Sequence, residues 1–257
     1  MGLRIALAVA ALAVAGCGED RSRPAAKAPA FVAVESPDTG AVKEVAAGRD
    51  GSSDREPRPA GRFRTAAVVR RTTLRAAPAG KVVARIGRRT EFGSKRVLAV
   101  TGERNGWLQV TASELGNGKH GWIRASSARL GSTSVWIRVD RSKRLLTLRR
   151  DRKVLRRMPV AVGRPGTETP LGRFAVTDLL LTQRSDSPYG CCAVALSGRQ
   201  PKLLPGWPGG DRLAIHATPN PETVGAEASL GCLRGHTGDV RVLMRRLPLG
   251  APVVVVA

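Results

Sequence analysis

The chain has 257 residues, which is enough for one large domain or two small ones. Its formal net charge is +23, but the basic residues are spread along the chain without a nucleic-acid recognition motif, and an aromatic content of 4% leaves few rings for stacking on bases. Composition therefore disfavours a nucleic-acid partner. The charge suits contact with anionic polymers or lipid headgroups near a wall or a membrane, and an arginine-rich composition that reflects only codon bias is the alternative.

The first seventeen residues predict an export signal. One positive charge, Arg4, precedes an apolar run over residues 5–15, which is too short to span a bilayer and has the length of a signal-peptide core. The run ends in VAGC, which resembles the lipobox of bacterial lipoproteins. The resemblance implies that residues 1–17 are a lipoprotein signal peptide with Cys17 as the lipidated residue. The protein would then be anchored to the outer face of the cytoplasmic membrane, facing the cell wall.

Residues 18–62 have the composition of a disordered tether. They are rich in Ala, Pro, Gly, Ser and charged residues, as in DRSRPAAKAPA and GRDGSSDREPRPAGR, and show neither helical nor strand periodicity. We expect this tether to give the folded domains reach from the lipid anchor into the wall.

Residues 63–131 predict a small β-barrel. Short β-rich runs such as KVVARI, KRVLAVTGE and WLQVTA alternate with turn sequences such as APAG, RNG and GNGKHG. The stretches TLRAAPAGKVVARI, GERNGWLQV and GKHGWIRASSARL resemble a bacterial Src-homology-3-type domain. That family usually binds wall peptides or glycans, or packs on a catalytic partner.

Residues 134–257 predict a mainly β domain with one main helix. VWIRVD, LLTLRR and VLRRMPVAVG indicate a three-stranded meander, and CCAVALSG, RLAIHA and APVVVVA are further strand candidates. Pro159 marks an edge or a bulge of the third strand. The helix follows from apolar residues at helical spacing, with Thr237 or Gly238 as its cap. These apolar residues are Val240, Leu243, Met244 and Leu247.

Three further cysteines follow Cys17. Adjacent cysteines rarely bridge each other, so we expect Cys191 and Cys192 to be small apolar residues of a core strand and Cys232 to be a free thiol. A bridge from Cys232 to either of them is the alternative. The sequence has no Cys-x-x-Cys or His-x-x-x-His spacing, which predicts no metal site, and nothing in it implies a cofactor.

Cys232, in ASLGCLRG, is the candidate nucleophile. Such a cysteine needs a base or cation that favours its thiolate, which His216 at the end of RLAIHA can supply, and donors for an oxyanion. Gly231 allows a tight turn beside it, and the Arg234 fork suits a substrate carboxylate. Spacing alone leaves a purely structural cysteine and histidine as the alternative, and His236 is a second candidate base.

Five motifs in order, TPLGRF, SPYG, ALSG, IHAT and ASLGCLRG, resemble the catalytic domain of L,D-transpeptidases of the YkuD type. The resemblance covers about residues 134–257 and implies a β-sandwich with the cysteine at one end. Two departures from the family pattern are Ala217, where glycine is common, and Leu230, where histidine is common. The implied roles are Cys232 as acyl-accepting nucleophile, His216 as base, amides near Gly231 and Cys232 as oxyanion hole, Ser229 as support, Arg234 as substrate-positioning residue, and Tyr189 as a groove or core residue.

The resemblance implies a peptidoglycan L,D-transpeptidase that forms cross-links, or tethers, through a cysteine thioester. Its partners would be peptidoglycan stem peptides, with carbapenem-type inhibitors as acylating agents and no nucleic acid. Two alternatives stay open at this point. One is an L,D-carboxypeptidase that trims stem peptides, and the other is a non-catalytic wall-binding lipoprotein whose barrel does the binding.

Overall fold

The computed structural model describes residues 31–37, 62–184, 186–203, 205–206 and 210–257. The predicted signal peptide with Cys17, and the predicted tether apart from residues 31–37 and 62, lie outside the described residues. Within the described ranges, no helix is both long enough and apolar enough to cross a membrane.

The described residues form eighteen strands, one α-helix and two short 3-10 helices. The strands are β1 (Phe31–Ala33), β2 (Phe63–Val68), β3 (Thr72–Arg75), β4 (Val82–Ile86), β5 (Val97–Arg104), β6 (Trp107–Thr111), β7 (Gly121–Arg124), β8 (Ala128–Thr133), β9 (Val135–Asp140), β10 (Leu145–Arg150), β11 (Lys153–Pro159), β12 (Val162–Gly163), β13 (Gly172–Thr182), β14 (Cys192–Arg199), β15 (Arg212–Ala217), β16 (Glu227–Ser229), β17 (Leu233–Gly235) and β18 (Pro252–Val256). The helix is α1 (Thr237–Arg246), and the 3-10 turns are Ala125–Ser127 and Pro221–Thr223.

The first folded region is a seven-stranded sheet in the order β4-β3-β7-β6-β5-β2-β8. Its hairpin between β5 and β6 turns at Asn105 and Gly106, whose φ angles of 47° and 76° are those that the two-residue Asn-Gly turn favours. Alternate residues of its strands point inward and form a core of small and branched apolar side chains. That core includes Ala66, Leu74, Ile86, Leu98, Leu108, Val110 and Ile123.

The second region contains a nine-stranded sheet in which the long strand β13 joins two groups of strands. Its first half pairs with β18, and its second half pairs with β14. The two parts of the sheet, β11-β10-β9-β18 and β14-β15-β17, therefore meet along β13. Their apolar faces enclose one core. The predicted mainly β class with one helix is confirmed, and Pro159 ends the edge strand β11 as predicted.

Helix α1 covers part of this core. Val240 and Leu243 are buried at the predicted spacing, and the helix packs against β14 and β15. Its N-cap is His236 rather than the predicted Thr237 or Gly238, since His236 is the last residue with extended backbone angles. Asp239 in the first turn is held by Arg156 at 2.6 Å, which adds an ion pair to its favourable place near the helix N-terminus.

Residues 31–37 correct the prediction of a disordered tether over the whole of 18–62. Residues 31–33 form β1, which pairs antiparallel with the last residues of β13. The free edge exists there because β18 pairs only with residues 172–175 of β13. The segment continues along the domain, where the Val34 N–H donates to the Leu179 carbonyl at 2.9 Å and the Leu249 N–H donates to Ser36 Oγ at 2.9 Å.

The two regions are in direct contact. Asn117 of the first region bonds both the carbonyl and the N–H of Arg199 in β14, at 2.7 and 2.9 Å. The Arg199 side chain also donates to the Ser113 carbonyl at 3.0 Å. These bonds fix the first region, which we call the barrel, against the strand that adjoins β15.

Candidate active site

Cys232 lies at the entrance to β17, beside β15. The two strands are parallel, with Ile215 level with Leu233, so Cys232 is level with Ala214. The Cys232 thiol donates to the Arg212 carbonyl, with 3.8 Å between sulfur and oxygen. Of the cysteines in the described ranges, it is the one with a free thiol, as predicted.

His216 lies two residues beyond Ala214 on β15, on the same face of the strand. It is paired with Arg234 across the parallel ladder and only 4% of its surface is exposed. The two strands therefore bring Cys232, His216 and Arg234 to one place. In the sequence the first two are separated by sixteen residues, and the ladder between β15 and β17 brings them close together.

The His216 ring has a defined tautomer. Its Nδ1 lies 2.7 Å from the Ala217 carbonyl oxygen. Since a carbonyl can only accept, Nδ1 carries the hydrogen, and the neutral ring keeps its lone pair on Nε2. The pKa of His216 is lowered to about 4, mainly by burial and to a smaller extent by the nearby Arg234 charge, against the opposing effect of the Ala217 bond. The imidazole is therefore neutral at neutral pH.

The thiol is also neutral at rest. Burial raises the pKa of Cys232, although a hydrogen bond from the Ala214 main chain and the charge of Arg234 both act to lower it. This resting state differs from the thiolate–imidazolium pair that the sequence led us to expect. The reason is that burial disfavours both charged forms and outweighs the main-chain hydrogen bonds with Ala217 and Ala214, which act in the opposite direction.

Tyr189 closes one side of the site. Its half-buried ring meets the His216 ring edge-on, with 4.9 Å between centroids. Burial raises the pKa of Tyr189, and so does its proximity to Cys232. Tyr189 thus contacts His216 directly, where the sequence had left a groove or core position open. We call Cys232 and His216 the dyad.

The turn that carries Cys232 is organised by Ser229. The Ser229 hydroxyl donates to the Cys232 carbonyl at 2.6 Å and accepts from the Gly231 N–H at 3.0 Å. Gly231 has a φ of 117°, a conformation that L side chains rarely adopt. The serine therefore supports the turn, while the Gly231 amide is already engaged.

Two buried side chains outside the ASLGCLRG motif hold the same turn. The Thr169 hydroxyl donates to the Gly231 carbonyl at 2.9 Å and accepts from the Gly163 N–H at 2.9 Å. The Gln200 amide nitrogen contacts the Leu230 carbonyl at 3.1 Å. Thr169 stands in the TPLGRF motif, so a sequence signal existed for it. Nothing in the sequence distinguishes Gln200.

Other candidates take lesser places. Arg234 is half-buried, and both its main-chain groups bond Ala161, at 2.8 and 3.0 Å. His236 is exposed at the start of α1. In the described part of the chain, no group of His, Cys, Asp and Glu side chains could hold a metal ion.

Cys191 and Cys192 correct the expectation that neighbouring cysteines stay unbridged. They form a disulfide with each other. Cys192 is fully buried and packs with Ala217 and Val240, so it still serves as a small apolar residue. The bridge lies next to Tyr189 in sequence and does not involve Cys232.

Of the two departures from the family pattern, Ala217 has a local explanation and the Leu230 side chain has none. A Cβ on Gly190 would lie 2.7 Å from the Ala217 Cβ, so the methyl group of Ala217 is accommodated by a glycine opposite it. Leu230 contributes a main-chain carbonyl to the Gln200 contact. Neither departure removes the thiol of Cys232 or the imidazole of His216.

Known proteins resemble the second folded region. Residues 134–255 match the family model YkuD, the L,D-transpeptidase catalytic domain. The YkuD protein of Bacillus subtilis (strain 168) is 32% identical over 120 residues, which are 46% of this chain and 64% of that protein. YkuD of Bacillus licheniformis is 30% identical over 117 residues, 46% of this chain and 62% of that protein.

The chain thus spans slightly less than two thirds of the length of these curated relatives. Among solved structures, L,D-transpeptidase 3 from Mycobacterium tuberculosis in complex with a faropenem-derived adduct is 19% identical. It aligns over 62% of this chain and 79% of that chain, with a TM-score of 0.40. Residues 134–255 are thus similar in sequence to the catalytic domain of YkuD-type L,D-transpeptidases.

Proposed function

We propose that the chain is a peptidoglycan L,D-transpeptidase that works through a thioester on Cys232. The observation that carries the proposal is a free thiol at the start of β17 and a buried neutral imidazole on the paired strand β15, in a region that matches this family model. A neutral imidazole with its lone pair on Nε2 is suited to accept the thiol proton, and Tyr189 packs against the ring that must stay in place.

In the first step, Cys232 Sγ attacks the carbonyl carbon of the L-centred third residue of a stem tetrapeptide while its proton passes to His216 Nε2. The resulting tetrahedral oxyanion collapses, the C–N bond to the terminal D-alanine breaks, and His216 returns the proton to the leaving amine. The products are free D-alanine and a thioester on Cys232. The neutral resting dyad supports proton transfer during the attack rather than before it.

The oxyanion needs a donor that is not already engaged. The Gly231 N–H bonds Ser229 Oγ, so we assign the main role to the Cys232 N–H at the mouth of β17, with Gly231 and Ser229 holding the turn in shape. We assign Arg234, half-buried beside the dyad, to the substrate carboxylate.

In the second step, a side-chain amine of a neighbouring stem attacks the thioester carbonyl. His216 takes a proton from the amine, the C–S bond breaks, and the sulfur regains the proton. This gives a cross-link between two third residues. Water in place of the amine would make the enzyme an L,D-carboxypeptidase, which trims the stem instead.

We also propose how the rest of the chain serves this reaction. Its leader would be a lipoprotein signal that leaves Cys17 acylated and the domains on the outer face of the cytoplasmic membrane. The barrel, whose sequence resembles a Src-homology-3-type domain, would bind wall peptides or glycans and bring the catalytic domain to its substrate.

The nucleophile is tested with a carbapenem. Incubation of the purified chain should give one covalent adduct by intact-mass measurement, mapped by peptide mass spectrometry to Cys232 and absent from Cys232→Ala. His216→Gln should form the adduct about 100-fold more slowly or worse, because it lacks the base. Folded wild-type protein that stays unmodified would contradict the proposal and favour a non-catalytic wall-binding lipoprotein.

The reaction outcome is tested with a purified disaccharide-tetrapeptide. We expect cross-linked dimers and released D-alanine, both lost in Cys232→Ala. Trimmed tripeptide without dimers would assign the carboxypeptidase reaction to the same site. Retention of wall binding by Cys232→Ala would separate the role of the barrel from the role of the thiol.

A further inference from the structure

One loop of the barrel reaches the catalytic domain beside the dyad. This docking loop, residues 88–96 between β4 and β5, is closed by main-chain bonds between Thr90 and Ser94 at 3.0 Å and between Arg96 and Arg88 at 2.7 Å. The Thr90 hydroxyl donates to the carboxylate of Asp178 in β13, which is fully buried. The loop is thus a fixed part of the domain contact rather than a free surface segment.

The docking loop contacts the residue whose carbonyl accepts the Cys232 thiol. Glu91 forms an ion pair with Arg212, the first residue of β15, whose side chain is 13% exposed. The Arg212 guanidinium also bonds the Leu196 carbonyl at 2.8 Å and Thr177 Oγ1 at 2.8 Å. Its main-chain oxygen is the acceptor for Cys232. One residue therefore connects a barrel carboxylate to the thiol.

The same loop reaches the imidazole through a row of rings. Phe92 meets Phe31 of β1 edge-on at 6.1 Å between centroids, and Phe31 meets Tyr189 at 5.4 Å. Tyr189 in turn packs on His216 at 4.9 Å. Edge-to-face contacts at such distances are favourable, so each ring restricts the next. The docked strand β1 is the middle of this row.

Arg212 depends on its barrel partner. Burial lowers the pKa of Arg212, and the charge of Glu91 acts against that shift. Arg212 is the buried partner of this pair, whereas the Glu91 side chain is 45% exposed. Removing the Glu91 charge leaves the buried guanidinium without this counter-charge, and the guanidinium then tends to move. A shift of Arg212 would carry the start of β15, and with it the carbonyl that holds the thiol.

We propose that the docking loop positions both groups of the dyad, with Glu91 acting on the Cys232 thiol through Arg212 and Phe92 acting on the His216 ring through Phe31 and Tyr189. The barrel is then a working part of the active site as well as a binding module. Glu91, Phe92, Arg212 and Phe31 are positioning residues. The inference rests on the proposed function only where acylation is the readout.

The test compares matched pairs of variants in the full chain. Glu91→Gln removes the ion pair to Arg212, and its control, Glu103→Gln, removes the Arg64–Glu103 pair within the barrel, which spans 2.7 Å. Phe92→Ala breaks the row of rings. Its control, Phe63→Ala, breaks the contact between Phe63 and Trp136, which also joins barrel and catalytic domain, at 6.1 Å, but does not lead to the dyad.

We expect Glu91→Gln to lower the rate of carbapenem acylation about ten-fold, because small displacements of reacting groups have large effects on rate. Glu91→Asp should restore most of that rate, and Glu103→Gln should stay within about two-fold of wild type. In Phe92→Ala, the acidic limb of the acylation pH profile should move to higher pH. The looser ring cover would let the pKa of His216 rise from about 4 toward its ordinary value.

Alkylation of Cys232 by iodoacetamide reads the same geometry without transpeptidase chemistry. We expect faster alkylation at pH 7.5 in Glu91→Gln, since a thiol released from the Arg212 carbonyl is less buried. If wild type fails to acylate while the alkylation difference holds, the proposed function fails and the positioning role stands. The positioning role is overturned if Glu91→Gln and Phe92→Ala match their controls, or if their losses follow the melting temperature and Glu91→Asp restores nothing.

Discussion

The two halves of the dyad are held in place by different means. Cys232 sits in a turn built from side-chain bonds to the main chain, in which Ser229, Thr169 and Gln200 each hold a carbonyl of residues 230–232. His216 sits in the interior of a regular ladder, between β14 and β17, and its ring is fixed by burial and by Tyr189.

This difference separates two kinds of sensitivity. The thiol depends on a few polar contacts and on one glycine with a left-handed backbone, so single-atom changes in its turn should matter. The neutral state of the imidazole depends on burial, so we expect His216 to be sensitive to pH rather than to changes in the turn. Three predictions test this contrast, from the largest expected effect to the smallest.

Gly231→Ala should be the most damaging change to the turn. The added Cβ would lie 2.1 Å from the Gln200 amide nitrogen, and the φ of 117° disfavours any L side chain. We expect a loss of about 4 kcal/mol in the free energy of unfolding, measured by urea denaturation, from strain and overpacking together.

Gly225→Ala is the matched control for that change. Gly225 also has a positive φ, of 92°, but its Cβ would meet nothing within 4 Å. It should lose only about 1 kcal/mol, the backbone part of the effect. Equal losses at the two glycines would mean that the close approach of Gln200 to the turn does not matter.

Lowering the pH should destabilise the protein through His216. Its folded-state pKa of about 4 lies below the unfolded value, so the unfolded chain binds the proton first as the pH falls. The stability present above about pH 6.5 is then lost as the pH falls toward 4, by roughly 3 kcal/mol. His216→Gln should flatten this part of the pH–stability curve relative to wild type.

The comparison of wild type with His216→Gln removes the effects of titratable groups that both proteins contain. Asp140 is one such group, since its own pKa is lowered by hydrogen bonds from Lys143, Ser142 and Arg138 against the opposing effect of burial. Its contribution is present in both proteins and cancels in the difference. Identical curves for wild type and His216→Gln would show that the ring is not buried in its neutral form.

Thr169→Val should have the smallest effect of the three. The change keeps the shape of a side chain that is 2% exposed but leaves the Gly231 carbonyl and the Gly163 N–H without partners. We expect about 2 kcal/mol of lost stability. As a control, Thr101→Val changes an exposed threonine whose hydroxyl contacts the side chains of half-buried Gln109 and exposed His120, and it should lose about 0.5 kcal/mol or less.

Local patterns were sufficient for much of the fold. Alternating apolar residues and Asn-Gly turn chemistry predicted short strands, and the spacing of Val240 and Leu243 predicted α1, because these signals lie within a few residues. The bridge between Cys191 and Cys192 was missed because a general rule about adjacent cysteines decided the expectation.

Contacts between distant segments could not be predicted from local sequence patterns. Three residues in a stretch rich in alanine and proline carry no strand period, yet β1 forms because β13 leaves an edge open. Arg212 and Gln200 resemble any surface arginine or glutamine until the fold places one against a barrel loop and the other under the nucleophile turn. Their roles depend on which distant segments meet, and local patterns in the sequence do not show that.

The docking of β1 has a mechanical consequence for a chain anchored at Cys17, as we propose. A tether from Cys17 to residue 62 could extend about 160 Å. A tether that ends where β1 docks, at Phe31, could extend only about 50 Å. The shorter tether would confine the candidate active site to a thin layer next to the membrane. Under that proposal, wall strands next to the membrane would be within range, and strands farther out would not.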